Sequence, residues 1–149
     1  MKPFVSSPVH LPAGQVGTLF TRIDLLLEGV DHSGISYELR VFLNNPDATA
    51  TTQRHSDAGY VGSLHVFGHG GCFGEEGHCA IPTRTRGRFD LRPPHPLTPT
   101  NMWLDLTVAL AKAAAGADAV TITVVPVHVT DPDPQATLTF ERVSLNVYR

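Results

Sequence analysis

Cysteine is scarce in this sequence, with two residues, Cys72 and Cys79, among 149. Two thiols cannot build the multi-bridge framework of a small secreted domain, so the fold must rest on an apolar core. The length and the 42% hydrophobic content are enough for one such core, and no internal repeat divides the chain, so residues 1–149 are expected to form a single domain. Basic runs are also lacking, and the formal net charge is -3. Capture of nucleic acid or of an anionic membrane surface needs clustered Lys and Arg, so neither is expected as a partner. The one local concentration, Arg84, Arg86, Arg88 and Arg92, reads as a solvated loop. No stretch approaches the ~18 apolar residues of a membrane span, and the N-terminus shows no apolar h-region or small-residue cleavage site. The chain as given is therefore expected to be soluble and cytoplasmic.

What is present is a series of alternating apolar segments. Residues 1–17 carry several prolines and no period, and read as an irregular lead-in. From Leu19, alternation places Thr21, Ile23, Leu25 and Leu27 on one face and Arg22, Asp24, Leu26 and Glu28 on the other. After a turn, Ile35, Tyr37, Leu39, Val41 and Leu43 alternate with Ser36, Glu38, Arg40 and Phe42. Asn44-Asn-Pro-Asp47 ends that strand, because Pro lacks an amide donor and Asn and Asp favour turns. A third strand is predicted over residues 60–67, with Tyr60, Gly62, Leu64 and Val66 on one side. A short strand near Met102–Leu104 precedes the one helical segment, Leu106 to Ala115, with Asp105 or Thr107 as N-cap, Gly116 as C-cap, and an apolar face of Leu106, Val108, Ala109, Leu110 and Ala113. Residues 119–129 are rich in β-branched side chains and read as a core strand, with Pro126 marking a bulge or an edge. In the last strand the parity changes between Phe140 and Val143, which a bulge at Glu141/Arg142 would explain. Together these patterns predict an all-β antiparallel sandwich with one short helix.

Between the third and fourth long segments lies an insertion, residues 68–99, that is glycine-rich and then rich in proline and arginine. The stretch from Gly62 to Cys79 holds both cysteines and three of the eight histidines. Thiolates and imidazoles are the ligands that copper or zinc takes in sets of three or four, and glycines let a backbone fold tightly enough to converge them. His69, Cys72, His78 and Cys79 are the candidate ligands. His78 and Cys79 are adjacent, which strains a shared tetrahedral site, so His65 and His95 stand as substitutes. Other readings of the same residues remain open. Cys72 and Cys79 can instead close a disulfide loop, His65 fits a solvent-facing strand residue, and either thiol beside an imidazole is formally a nucleophile.

The ordered set of Tyr37-Glu-Leu-Arg-Val-Phe-Leu-Asn44, Tyr60-Val-Gly-Ser-Leu64, the short helix, Val120-Thr-Ile-Thr-Val-Val-Pro126 and the terminal strand resembles the C-terminal β-sandwich domain of plant polyphenol oxidases and related tyrosinase-family proteins. The resemblance covers roughly residues 18 to 149. In that family a dicopper helix bundle precedes the sandwich, and its histidines have no counterpart in this chain. The resemblance therefore implies a non-catalytic accessory module that shields or assists a partner dicopper oxidase domain. Two alternatives stay beside it: a stand-alone small Cys/His metalloenzyme using the same loop, and a structural or protein-binding sandwich with a Cys72–Cys79 disulfide. The 68–99 insertion departs from the family pattern, and no family residue carries over onto it.

Overall fold

The computed structural model describes residues 2–11, 21–68, 87–89, 99–113, 119–128 and 138–148. In chain order the elements are β1 (Phe4–Val5), β2 (Val9–His10), β3 (Arg22–Val30), β4 (Tyr37–Leu43), a 3-10 turn (Ser56–Ala58), β5 (Tyr60–Val66), β6 (Thr100–Asp105), α1 (Thr107–Ala113), β7 (Ala119–Val120), β8 (Ile122–His128) and β9 (Arg142–Tyr148). Every strand pairing among them is antiparallel. One sheet has the order β1-β8-β4-β5, a second β6-β3-β9, and β2 pairs with β7.

Alternation decides which face of each strand is buried. Ile23, Leu25 and Leu27 on β3 are at most 2% exposed, and with Leu39, Val41, Val66 and Val124 of the four-stranded sheet they form one core between the two sheets. The protein is thus an all-β antiparallel sandwich with one short helix, as the sequence pattern predicts. Leu106 and Leu110, one helical turn apart, press the helix onto that core and are fully buried. Val108 does not belong to this face. It is 71% exposed, because two residues on from Leu106 the helix has turned well past the core side.

Three local features differ from the sequence reading. The segment read as an irregular lead-in contributes β1 and β2, and Phe4 packs edge-on against Phe140 at 4.9 Å between ring centroids. Strand β4 is buried on both faces apart from Arg40, since Phe42, Ala48 and Val125 make a second apolar cluster on the outer side with Tyr60 and Val127. In β5 the register shifts by one residue, so that Val41 faces Gly62 while Phe42 faces Tyr60. Gly62 takes φ 151° at this bulge, and the slip moves Tyr60 away from the side of Leu64 and against Phe42, with ring centroids 5.6 Å apart.

The helix start is fixed by a polar relay. The Asp105 carboxylate accepts from the Thr107 amide (2.8 Å) and hydroxyl (2.6 Å), and the Thr107 oxygen accepts from the Ile23 amide (2.9 Å). Gly116 lies outside the described residues. Pro126 pairs with Leu39 and lies beyond the reach of the two-residue β1, where β8 has a described neighbour on one side only.

Candidate functional site

Strand β5 carries the chain to the start of the Cys/His segment, and its exit is tightly held. The Gly68 amide donates to the Ser36 hydroxyl at 3.0 Å. Its Cα lies so close to the Gly34–Ile35 backbone that a Cβ there would overlap the Gly34 carbonyl oxygen and the Ile35 carbonyl carbon. Only glycine fits this close approach, so the point from which the insertion departs is defined by backbone contact.

Of the six sequence-predicted ligands, the described residues include His65. It is exposed on β5, directly opposite Glu38 of β4. His69, Cys72, His78, Cys79 and His95 lie outside the described residues. Among the described residues, no three His, Cys, Asp or Glu side chains stand close enough together to hold a metal ion.

A cleft of about 550 Å³ opens between the end of β5 and strand β6, where the edges of the two sheets meet. His32, His65, Phe67, Met102 and Trp103 line it, and Phe67 and Trp103 are 79% and 60% exposed. Two imidazoles therefore share one apolar wall. Sequence reasoning did not single out His32, whose turn is ordered by the Asp31 carboxylate accepting from the Ser33 amide at 2.9 Å. Backbone and side-chain hydrogen bonds from Ser33, with a smaller contribution from the charge of His32, hold the Asp31 carboxyl below its ordinary range.

Beside His65, the outer face of the four-stranded sheet carries a buried ionic group. Glu38 is 5% exposed, and its Oε2 accepts from Arg40 Nε (3.0 Å) and Arg54 Nη2 (2.9 Å), while Oε1 makes no hydrogen bond of normal geometry. Arg40 also donates through Nη1 to the Ala50 carbonyl at 2.7 Å, which ties the 44–59 loop down onto the sheet. Burial opposes ionisation of Glu38. The hydrogen bond from Arg40, the nearby Ser63 hydroxyl and the charges of Arg40 and Arg54 outweigh it and keep the carboxyl below its usual range. At the other side of β4, His128 lies against Tyr37 with ring centroids 6.3 Å apart, and both its ring nitrogens are buried with no hydrogen-bond partner among the described residues. Burial, with the charge of Asp31, pushes the Tyr37 hydroxyl up to about 12.

Two solved structures share this architecture: recombinantly expressed latent aurone synthase (polyphenol oxidase), and latent aurone synthase (polyphenol oxidase) from natural source. Each aligns with a TM-score of 0.59 at 16% identity, over 98% of this chain and 24% of that one. At that identity the likeness establishes a common fold. The chain spans about a quarter of the length of the protein it matches. No protein-family model and no curated protein matches the sequence.

Proposed function

We propose that this chain is a non-catalytic accessory module of the kind found in tyrosinase-like copper oxidases, set against a dicopper catalytic domain that it shields or helps to load with copper. The observation supporting this reading is the extent of the fold match. Nearly the whole chain, 98%, corresponds to 24% of a polyphenol oxidase, leaving the larger part of that enzyme to supply the chemistry. The two structures named above are of the latent enzyme, which suits a module that restrains its partner.

In the same reading the 68–99 insertion binds one copper or zinc ion. His69, Cys72, His78 and Cys79 are its ligands, and His65 or His95 takes the place of whichever of the adjacent pair His78 and Cys79 is excluded. The pinned exit at Gly68 and the exposed imidazole of His65 support a cradle anchored to a rigid strand.

The test is to assay phenol oxidation by the purified, copper-loaded chain, alone and mixed with a tyrosinase-type catalytic domain that lacks its own sandwich. The expected result is no turnover by the chain alone and a changed rate or copper uptake of the catalytic domain in the mixture. Turnover by the chain alone rejects the accessory reading in favour of a stand-alone metalloenzyme.

A further inference from the structure

The outward face of β6-β3-β9 carries an arrangement that neither the accessory role nor the metal loop uses. Because Ile23, Leu25 and Leu27 point into the core, Arg22, Asp24 and Leu26 point out. Cross-strand register then builds four rows on this face, with Glu28 and Arg142 at one end and three rows following. Trp103, Leu26 and Ser144 form one, Asp105, Asp24 and Asn146 the next, and Arg22 with Tyr148 the last. Arg22, Asp24, Leu26, Trp103, Asn146 and Tyr148 line a shallow cleft of about 550 Å³.

We propose that this cleft is a binding site for an uncharged oligosaccharide. Trp103, the single tryptophan of the chain, is 60% exposed, and Tyr148 is 47% exposed. Exposed aromatic faces, electron-rich at the ring centre, are the surfaces on which the C–H faces of pyranose rings stack. The two rings sit at diagonal corners, two strand spacings apart across the sheet and offset by the four residues from Arg22 to Leu26, a separation of ~16 Å that spans several sugar rings. Between them lies the half-buried amide of Asn146, a donor–acceptor matched to sugar hydroxyls, while Asp24, 4% exposed, sits below the surface and holds Arg22 in place. Asp24 is neutralised within the protein, since Arg22 Nε donates to its Oδ1 at 2.8 Å, and the exposed carboxylate of Asp105 beside it leaves the centre with one negative charge. A neutral, polyhydroxylated chain is accepted beside that charge, whereas a phosphorylated or sulfated one is repelled by it and meets no unpaired cation among the described residues lining the cleft. Leu26 is the one aliphatic side chain among the described residues that line the cleft.

The experiment uses the single indole as reporter. The full chain is titrated with cellohexaose, xylohexaose and maltohexaose, followed by tryptophan emission and by calorimetry. At least one sugar is expected to give a saturable emission change with matching heat. Trp103→Ala and Tyr148→Ala, both at exposed positions, should each weaken that binding about tenfold without lowering Tm. Phe67→Ala removes an exposed aromatic outside this cleft and should leave the affinity unchanged. No heat and no emission change with any of the three sugars overturns the proposal, as does a Trp103→Ala variant that binds like the parent. If emission responds to a dicopper catalytic domain and to none of the sugars, the face is a protein interface and the oligosaccharide assignment is wrong.

Discussion

Replacing Glu38 by Gln tests whether the buried ionic group on the outer sheet face holds the 44–59 loop in place. The substitution keeps volume and one acceptor oxygen, but removes the charge that Arg40 and Arg54 share. Stripping one partner from a fully buried pair costs about 3–5 kcal/mol, because a charge is left uncompensated. Here the two arginines differ. Arg54 is 51% exposed and can turn into water, whereas Arg40 is 12% exposed and is also held by its bond to Ala50. The cost is therefore set by Arg40 alone and falls below that range, at about 2 kcal/mol, or a drop in Tm of roughly 4–8 °C for a chain of this size. The pH dependence has a definite sign. The folded-state carboxyl is depressed, so Glu38 stabilises fully above its unfolded value of about 4.3, and that contribution is lost as pH falls through the folded value. Urea unfolding of the parent and Glu38→Gln at pH 7 and at pH 3 reads both effects, with the gap between the two proteins expected to narrow at pH 3. Equal stability at pH 7, or a gap that does not narrow in acid, would refute the reasoning.

Gly68→Ala should lower stability by about 1–3 kcal/mol, since the new methyl meets backbone at Gly34 and Ile35 that cannot rotate away; thermal unfolding measures it. Asp105→Ala should cost about 1 kcal/mol by removing the acceptor at the start of the helix. Because bonds from Thr107 hold Asp105 below its ordinary range, the parent should lose that advantage as pH falls through the folded value, which unfolding curves taken between pH 7 and pH 3 will show. For the insertion, elemental analysis of the reduced protein should find one metal per chain, and the Cys72→Ser, Cys79→Ser double variant should find none. Negligible metal in both, with the unreduced parent two hydrogens light by mass, would establish the disulfide instead.

The sandwich was legible in the sequence because its period of two is unforgiving. A one-residue slip in β3 would expose Ile23, Leu25 and Leu27 together, so their alternation identifies both the strand and its inner face. The pattern fell short where a distant segment intervened. Alternation puts Glu38 and Phe42 on the face opposite Leu39 and Val41 without saying what covers them; the loop that brings Ala48 and Arg54 back over β4 buries them, and no local period announces such a cover. Tyr60 was put on the side of Leu64 because nothing in Tyr60-Val-Gly-Ser-Leu64 except Gly62 hints at a bulge. The clefts were less legible than the strands. His32, His65 and Trp103 share a wall because a turn and two sheet edges far apart in sequence meet there. Trp103 and Tyr148 share another face only once β3 has been placed between β6 and β9.

The position of the insertion between two edge strands leads to a further expectation. In sequence it lies between β5 and β6, and these strands already pack on the core through Leu64, Val66, Met102 and Leu104. Among the described residues the core between the sheets is assembled from both sides of the insertion, so a metal held within the insertion would not be needed to close that core. This sets the chain apart from small zinc domains, in which metal binding supplies the folding free energy itself. Chelation of the metal-loaded protein should leave the main unfolding transition within a few degrees of its original Tm, because a ligand lost from a locally stable segment costs only that segment's order. Hydrogen exchange should meanwhile quicken in residues 69–98 and stay slow in β3, β4 and β8. Because thiolate ligation displaces protons, the same metal should be lost progressively as pH falls, at values where the sandwich is still folded. A cooperative loss of the whole fold on chelation would show that the metal belongs to the core, and would contradict the separation of scaffold from site on which the accessory reading depends.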